Sequence, residues 1–332
     1  MKEKILITAA TGKTGYETAV QLLKDDYPVK IYVRSRNRKA LELEKLRAEI
    51  AVGEFNDYGQ LKNALGDVNK VYYCHPFMPG MPENVKIFIE AAKESKIEAV
   101  VFMGQWLAEF DGAKSLMTND TKEAYRLFKE SGLNVVYLTP GYFAENTFVI
   151  VLEFALQLGL MPLPYGKGKN PVISNEDLGS VIAALLKNPS PYFGQKIHPT
   201  GPESLSVPEM AKVISKVSGR KVRYINIPEW MFLKSAFLFG KDFGFDAFTI
   251  AQARHYNHEY RQNKFDAEGT TAVVKNLTGK ESEDFETIVK RYISRSPYAK
   301  RSFANWFSAM RKFMKIPFTS IPSIKELEAL NK

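Results

Sequence analysis

An α/β fold built on a doubly wound parallel sheet is what this sequence predicts, on three observations. Short apolar runs alternate with longer segments of helical period. The first run, Ile5-Leu6-Ile7, is apolar at consecutive positions, as a strand covered on both faces must be. It then passes through Thr8-Ala9-Ala10-Thr11-Gly12-Lys13-Thr14-Gly15 into a helix from about Thr14 to Leu23. Gly12 and Gly15 remove Cβ atoms that would block a phosphate, while the helix aims free N–H groups and its positive dipole end at the same place. The expectation is a Rossmann-like sheet whose first turn holds a dinucleotide pyrophosphate through Thr8, Ala10, Thr11, Gly12, Lys13, Thr14 and Gly15. Ala9 stands where a dinucleotide fingerprint has its first glycine, and it can make the turn provided its φ stays negative.

The second strand, Val29–Val33, ends at Arg34, 22 residues after Gly12. A ribose-recognising residue belongs there. Asp or Glu would accept from a 2′-hydroxyl, whereas a 2′-phosphate calls for cations. Arg34, Arg36, Arg38 and Lys39 follow, with no acid between Tyr27 and Leu41, so NADP(H) is the expected cofactor and Arg34 and Arg38 its phosphate ligands.

Further along, Gly53-Glu54-Phe55-Asn56-Asp57 leads into a helix over Tyr58–Leu65. Val71-Tyr72-Tyr73-Cys74-His75-Pro76 reads as a fourth strand broken by proline, Val85–Ser95 as a helix and Ala99–Met103 as a fifth strand. Glu130-Ser131-Gly132-Leu133, Val135–Thr139 and Pro140-Gly141-Tyr142-Phe143-Ala144-Glu145-Asn146 come next. With Ala-Thr-Gly-x-Thr-Gly at the first turn, this set resembles the atypical short-chain dehydrogenase/reductase superfamily, and within it the NmrA-like proteins with their Ser-Gly-Leu and Pro-Gly-x-Phe-x-x-Asn run. The resemblance covers most of the chain from residue 4 to about 225. It implies that Asn56 and Asp57 border the adenine and that His75, Pro76, Pro140 and Gly141 line the nicotinamide half of the cofactor.

Reductases of that superfamily generally use Tyr-x-x-x-Lys with a Ser after the fifth strand. Tyr125 and Lys129 match the spacing, but Lys129 lies at the end of its helix, and the fifth strand runs into Gly104-Gln105-Trp106 without a serine. Gln105 and Lys122 are left as catalytic candidates, Gln105 as a hydrogen-bond donor and Lys122 to polarise a carbonyl or hold a ribose; a solvated helix residue is the equal alternative for Lys122. Cys74 and His75 read as structural residues of the strand end. His255 and His258 lack an evident third ligand, so no metal is expected.

The C-terminal part predicts a smaller mixed region. A helix from Leu178 to Leu186, capped within Asn175-Glu176-Asp177, a helix over Val207–Ser218 and a strand over Val222–Ile227 precede aromatic stretches at Glu229–Lys241 and around Tyr256 and Tyr260. These aromatics can close over an apolar ligand or form plain core. The expected organisation is 1–150 for the cofactor domain, 151–296 for the smaller region with segments returning to the sheet, and 297–332 for a basic amphipathic tail.

Composition narrows the function classes. At 332 residues and 45% hydrophobic content the chain supports a large core. Its most apolar stretch, Phe148–Met161, is too short to span a bilayer. One cysteine excludes an internal disulfide framework and suits a reducing cytoplasm. Of the +9 net charge, residues 297–332 hold +5, so the body is not charged as a nucleic-acid binder. In that tail Phe303, Trp306, Phe307, Met310, Phe313 and Met314 are spaced along one helix face beside Arg311, Lys312 and Lys315. Such a helix lies on anionic lipid, docks on another subunit, which would make a homo-oligomer, or covers its own domain. Two functions fit the whole: an NADPH-dependent reductase of an apolar conjugated acceptor such as a quinone or enone, and a non-catalytic NADP redox sensor acting through a protein partner.

Overall fold

Alternating strands and helices follow the chain as the apolar runs predict. The computed structural model describes residues 2–331. Its first half contains β1 (Ile5–Thr8), α1 (Lys13–Lys24), β2 (Val29–Val33), α2 (Arg38–Lys45), β3 (Glu49–Val52), α3 (Tyr58–Leu65), β4 (Lys70–Tyr73), α4 (Met81–Glu94), β5 (Ala99–Met103), α5 (Leu116–Ser131) and β6 (Val135–Leu138). The second half contains α6 (Ala144–Phe148), α7 (Leu152–Leu158), β7 (Leu160–Leu163), β8 (Lys169–Asn170), α8 (Asn175–Lys187), β9 (Lys196–Ile197), β10 (Leu205–Ser206), α9 (Val207–Ser218), β11 (Arg223–Asn226), α10 (Glu229–Phe239) and α11 (Ala247–Arg261). Helices α12 (Val273–Thr278), α13 (Phe285–Arg295), α14 (Phe303–Lys315) and α15 (Ile324–Ala329) complete it.

The main sheet has the order β3-β2-β1-β4-β5-β6-β9, and every pairing in it is parallel. The order reverses between β1 and β4, so the ligand crevice of such a fold lies at the carboxyl ends of these two strands. Alternation along β1 feeds both faces: Ile5 and Ile7 join a core with Leu22, Val181 and Ile182, while Leu6 joins one with Val85, Phe88 and Phe128. Helix α8 belongs to the sheet although it comes late in the chain. It packs on α1 closely enough that a Cβ on Gly179 would meet Glu17 Cβ at 2.6 Å. A third core unites α6, α7, α9 and α13 through Phe148, Leu156, Ile214 and Ile288 in the smaller region.

Three boundaries differ from the sequence reading by more than one residue. Strand β4 stops at Tyr73, so Cys74, His75 and Pro76 form the loop at its end, because the backbone N–H and C=O of Cys74 bond to the Thr8 hydroxyl instead of the ladder. Helix α4 begins at Met81 rather than Val85, with Pro82 in its first turn, where a missing N–H costs nothing. Helix α8 is capped by Ser174, whose Oγ accepts from Asp177 N, rather than by the Asn175–Asp177 stretch.

The tail is folded onto the body. Ala309, Ile316 and Leu327 are buried. Phe313 meets Phe154 edge to face, with ring centroids 5.8 Å apart, and Lys312 Nζ lies 2.6 Å from Glu153 Oε2. Asn331 Oδ1 accepts from Leu116 N and Gln252 Nε2, which stitches the last described residue to α5 and α11. The six apolar residues of α14 do not share one face as expected. Trp306, Met310 and Phe313 are half-buried, while Phe303, Phe307 and Met314 are exposed.

Candidate functional site

The turn after β1 is shaped by close backbone contacts. Gly12 N donates to Ala9 O over 2.8 Å, which folds the chain back onto the strand end. A Cβ on Gly15 would lie 2.6 Å from Ala9 O and 2.9 Å from Ala10 Cα, so only glycine lets α1 approach this closely. Ala9 has φ +46°, contrary to the negative φ expected of it. The turn demands left-handed backbone there, and the chain accepts the strain of a Cβ in that region.

Helix α1 starts without a side-chain cap. Gly12 supplies an extended N-cap with no side chain, and no acid stands in the first turn. By contrast α2, α3, α5 and α8 are each capped, by Asn37, Asp57, Ser115 and Ser174. The N–H groups of α1 therefore remain for an anion. Thr8 and Thr14 have other duties. Thr8 Oγ1 accepts from Cys74 N over 2.8 Å, and Thr14 Oγ1 is 2.9 Å from Tyr72 Oη, so both hydroxyls brace the turn against β4. Lys13 Nζ reaches across the crevice to Asn146 Oδ1 on α6, 2.5 Å away. The protein around Lys13 displaces water from its ammonium and lowers its pKa, against the pull of Glu145.

Arg34, at the end of β2, is exposed and has no carboxylate within 4.0 Å among the described residues. Its neighbours are occupied. Arg36 Nη2 lies 2.7 Å from both Glu44 carboxylate oxygens, Arg38 Nε is 3.4 Å from Glu42, and Lys39 sits 5.1 Å over the Tyr16 ring. In the loop after β3, the neighbour of β2 in the sheet, Asn56 is exposed, while Asp57 Oδ1 caps α3 by accepting from Gln60 N.

The loop after β4 presents a buried neutral histidine. Asn84 Nδ2 lies 2.8 Å from His75 Nε2 and holds the ring in place. Burial pushes the His75 pKa down to about 4, against a hydrogen bond to the Pro76 backbone that raises it. Phe55 stands edge to face with His75 at 5.5 Å. The Cys74 thiol is pushed up to about 11 by burial, which leaves it protonated and unreactive.

Both catalytic candidates are engaged elsewhere. Gln105 Nε2 donates to Met117 O at 3.0 Å and Thr121 Oγ1 at 2.9 Å, and its Oε1 accepts from Thr118 Oγ1 at 3.1 Å. That amide joins the end of β5 to the start of α5. Lys122 Nζ donates to Phe110 O at 2.5 Å and lies 3.6 Å from Asp111, which ties down the loop before α5. Tyr125 fits into the space left by Gly104, where a Cβ would lie 2.0 Å from its hydroxyl, while Lys129 is exposed at the far end of the helix. Tyr125 and Lys129 thus form no paired proton relay.

Aromatic residues flank this edge of the sheet. Phe77, exposed just after Pro76, lies 6.1 Å from Phe248 and 6.2 Å from Tyr256. Tyr142, next to Gly141, meets Tyr165 and Tyr260 edge to face, and its hydroxyl is 3.0 Å from that of Tyr165. Burial pushes the Tyr142 pKa up to about 12. A Cβ on Gly141 would sit in ordinary contact with its surroundings, 3.7 Å from Asn170 Oδ1 and 4.0 Å from His198 Cε1. Pro140 O accepts from Trp106 N, fixing the loop after β6 to that after β5. Beside them lies an open cavity of about 460 Å³ lined by Pro79, Leu116, Asp120, Phe248 and Leu330 among others. Asp120 and Glu83 both line it, and desolvation of the half-buried Asp120, with Glu83 nearby, pushes its pKa up to about 6.

Sequence reasoning missed two participants. Asn84, which pairs with the His75 ring, sits inside a helix with no local signal. Glu145 lies within the quoted Pro-Gly-x-Phe-x-x-Asn run. It is 3% exposed, one oxygen accepts from Asn175 N at 3.2 Å, the other has no partner, and burial pushes its pKa up to about 7. Among the described residues no group of three or more His, Cys, Asp or Glu could hold a metal, and no helix is long and apolar enough to cross a membrane.

Residues 1–275 match the model of the NmrA-like family. The NAD(P)H azoreductase of Xenophilus azovorans is 29% identical over 223 residues, which span 67% of this chain and 77% of the relative. The NADPH-dependent quinone oxidoreductase of Escherichia coli, solved with NADPH, superposes with a TM-score of 0.74 at 21% identity, covering 86% of this chain and 99% of that one. NmrA, described as a negative transcriptional regulator and solved with NADP, superposes with a TM-score of 0.70 at 16% identity, covering 87% of this chain and 94% of that one.

Proposed function

The protein belongs to the NmrA-like family, and from that premise we propose that it is an NADPH-dependent reductase of an apolar conjugated acceptor, a quinone or an enone. The observation that carries the cofactor half is the uncapped N-terminus of α1 inside a glycine-cleared turn, paired with the uncommitted Arg34 at the end of β2. In this reading Ala10, Thr11, Gly12 and Lys13 surround the pyrophosphate, with Thr8, Thr14 and Gly15 holding the turn in shape. Arg34, with Arg38 beside it, takes the 2′-phosphate. Asn56 and Asp57 border the adenine, and His75, Pro76, Pro140 and Gly141 flank the nicotinamide half. The NADP-bound crystal structures of the quinone oxidoreductase and of NmrA support the choice of cofactor.

NADPH, when bound, supplies a hydride from C4 of its nicotinamide ring. The chain's part is to hold the acceptor flat and dry. Phe77, Tyr142 and Tyr256 offer apolar faces at the carboxyl edge of the sheet, which suits a planar conjugated molecule. Gln105 and Lys122 serve as positioning residues, fixing the loops after β5 rather than moving protons. An electron-poor quinone or enone tolerates this, because water can protonate the reduced product. The names of the azoreductase and quinone oxidoreductase relatives point to acceptors of the same electron-poor kind.

One observation favours the second reading, a redox sensor: the site edge presents no free proton relay. Titrating the protein with NADPH by fluorescence, then adding a panel of quinones and enones, separates the two. Saturable binding with acceptor-dependent loss of signal supports the reductase. Binding without turnover across the panel overturns it in favour of the sensor.

A further inference from the structure

Helix α14 turns an apolar face outward. Phe303, Phe307, Met314 and Phe318 are 79%, 56%, 60% and 85% exposed, and no other large hydrophobic side chain among the described residues is as exposed as any of them. With Arg311 they fall at spacings of four, four, three and four, which is one stripe running the length of α14 and through the short turn Ile316–Phe318. The stripe is about 20 Å long at 1.5 Å per residue along the helix. Phe303 stacks with Phe307 at 6.2 Å, so the rings present a flat surface. The inner face of the same helix is already satisfied by Ala309, Phe313, Ile316 and the Lys312–Glu153 pair. Covering its own body therefore accounts for one face of the helix and leaves the other without a partner.

Charge says what the outer face fits. Between residues 298 and 321 there are five Lys and Arg and no acid. Lys312 is spent on Glu153, but Lys300, Arg301, Arg311 and Lys315 have no carboxylate within 4.0 Å among the described residues. We propose that this stripe is a membrane-docking surface for anionic lipid, with the rings of Phe303, Phe307 and Phe318 entering the headgroup boundary and the four cations meeting lipid phosphates. Long basic side chains can lay their stems along apolar surface and keep their heads at phosphate level, which suits Arg311 and Lys315 beside the rings. A second copy of the chain fits less well, since a two-fold contact through the stripe would set Arg311 and Lys315 against the same residues with no counter-charge. The surface lies beyond the residues that match the family model. It does not depend on the cofactor reading, and it would bring the protein to the phase where an apolar acceptor concentrates.

Full-length protein should sediment with vesicles of phosphatidylcholine and phosphatidylglycerol roughly tenfold more strongly than with phosphatidylcholine alone, and high salt should weaken the binding. A triple variant, Phe303→Ser, Phe307→Ser and Phe318→Ser, should lose the retention while keeping the wild-type circular dichroism spectrum, melting temperature and NADPH affinity. Equal retention on neutral vesicles, or none on anionic ones, would overturn the proposal. So would a dimer in solution that the triple variant converts to monomer, because the face would then be a subunit interface. Failure of lipid binding with NADPH binding intact removes this inference alone.

Discussion

Removing the Arg34 guanidinium tests the cofactor assignment at the point where the structure concentrates it. Arg36 pairs with Glu44 and Arg38 with Glu42, so Arg34 is the arginine of this cluster that meets a phosphate without giving up a carboxylate first. A charge-assisted hydrogen bond contributes about 1.5–3 kcal/mol, so Arg34→Ala should raise Kd for NADPH roughly 10- to 150-fold. NADH has no 2′-phosphate, and its Kd should move by no more than about twofold. Arg36→Ala breaks only an exposed pair and should change either affinity by less than about 1 kcal/mol. Arg34→Glu goes further, since a carboxylate repels the phosphate and accepts from a 2′-hydroxyl, and should invert the preference toward NADH. Fluorescence titrations of both dinucleotides at low and high salt measure all of this, and the NADPH advantage should shrink as salt screens the exposed charge. Equal losses for NADPH and NADH in Arg34→Ala would refute the 2′-phosphate assignment.

The first turn and the buried acid behind it carry three further expectations. Gly15→Ala places a methyl 2.6 Å from Ala9 O and should destabilise the fold by about 1–3 kcal/mol while weakening both dinucleotides alike; a denaturant midpoint equal to wild type would contradict the close-approach argument. Ala9→Gly relieves an L residue at φ +46° and should stabilise by about 1 kcal/mol, read as a higher melting temperature, whereas a loss would mean that the turn is not strained there. Glu145 has its folded pKa raised to about 7, so the native state holds a proton that the unfolded chain releases from about pH 4.5 upward, and stability falls as pH rises through that window. Glu145→Gln should remove a pH-dependent difference on the order of 3 kcal/mol between pH 5 and 8; stability curves that stay parallel to wild type would count against the shift.

How much was legible in advance follows from which interactions are local. The core strand runs, the glycines of the first turn, the basic cluster after β2 and the order of the crossover units follow from hydrophobic period and turn chemistry within a few residues. Helices α3 and α9 and strands β2 and β5 therefore fall on the expected residues. The roles of Gln105 and Lys122 were not legible, because each depends on which carbonyl or hydroxyl the folded chain brings within hydrogen-bond reach, Met117 and Thr121 for one and Phe110 for the other. Asn84 and Glu145 acquire their importance in the same way, through burial beside His75 and Asn175.

Local period also misjudged the tail. The spacing of six apolar residues in α14 described an amphipathic helix, but spacing carries no information on which side of it meets the body. A parallel α/β sheet, an anion-receptive first turn and a cation at the end of the second strand are each set by neighbours along the chain, so they can be read from residue order alone. Folding alone settles which of those cations stays unpaired, which carbonyls and hydroxyls Gln105 and Lys122 meet, and which face of α14 is left open. Those outcomes depend on partners far away in sequence, such as Glu153 for Lys312 and Asn146 for Lys13, that come together only when the chain is folded.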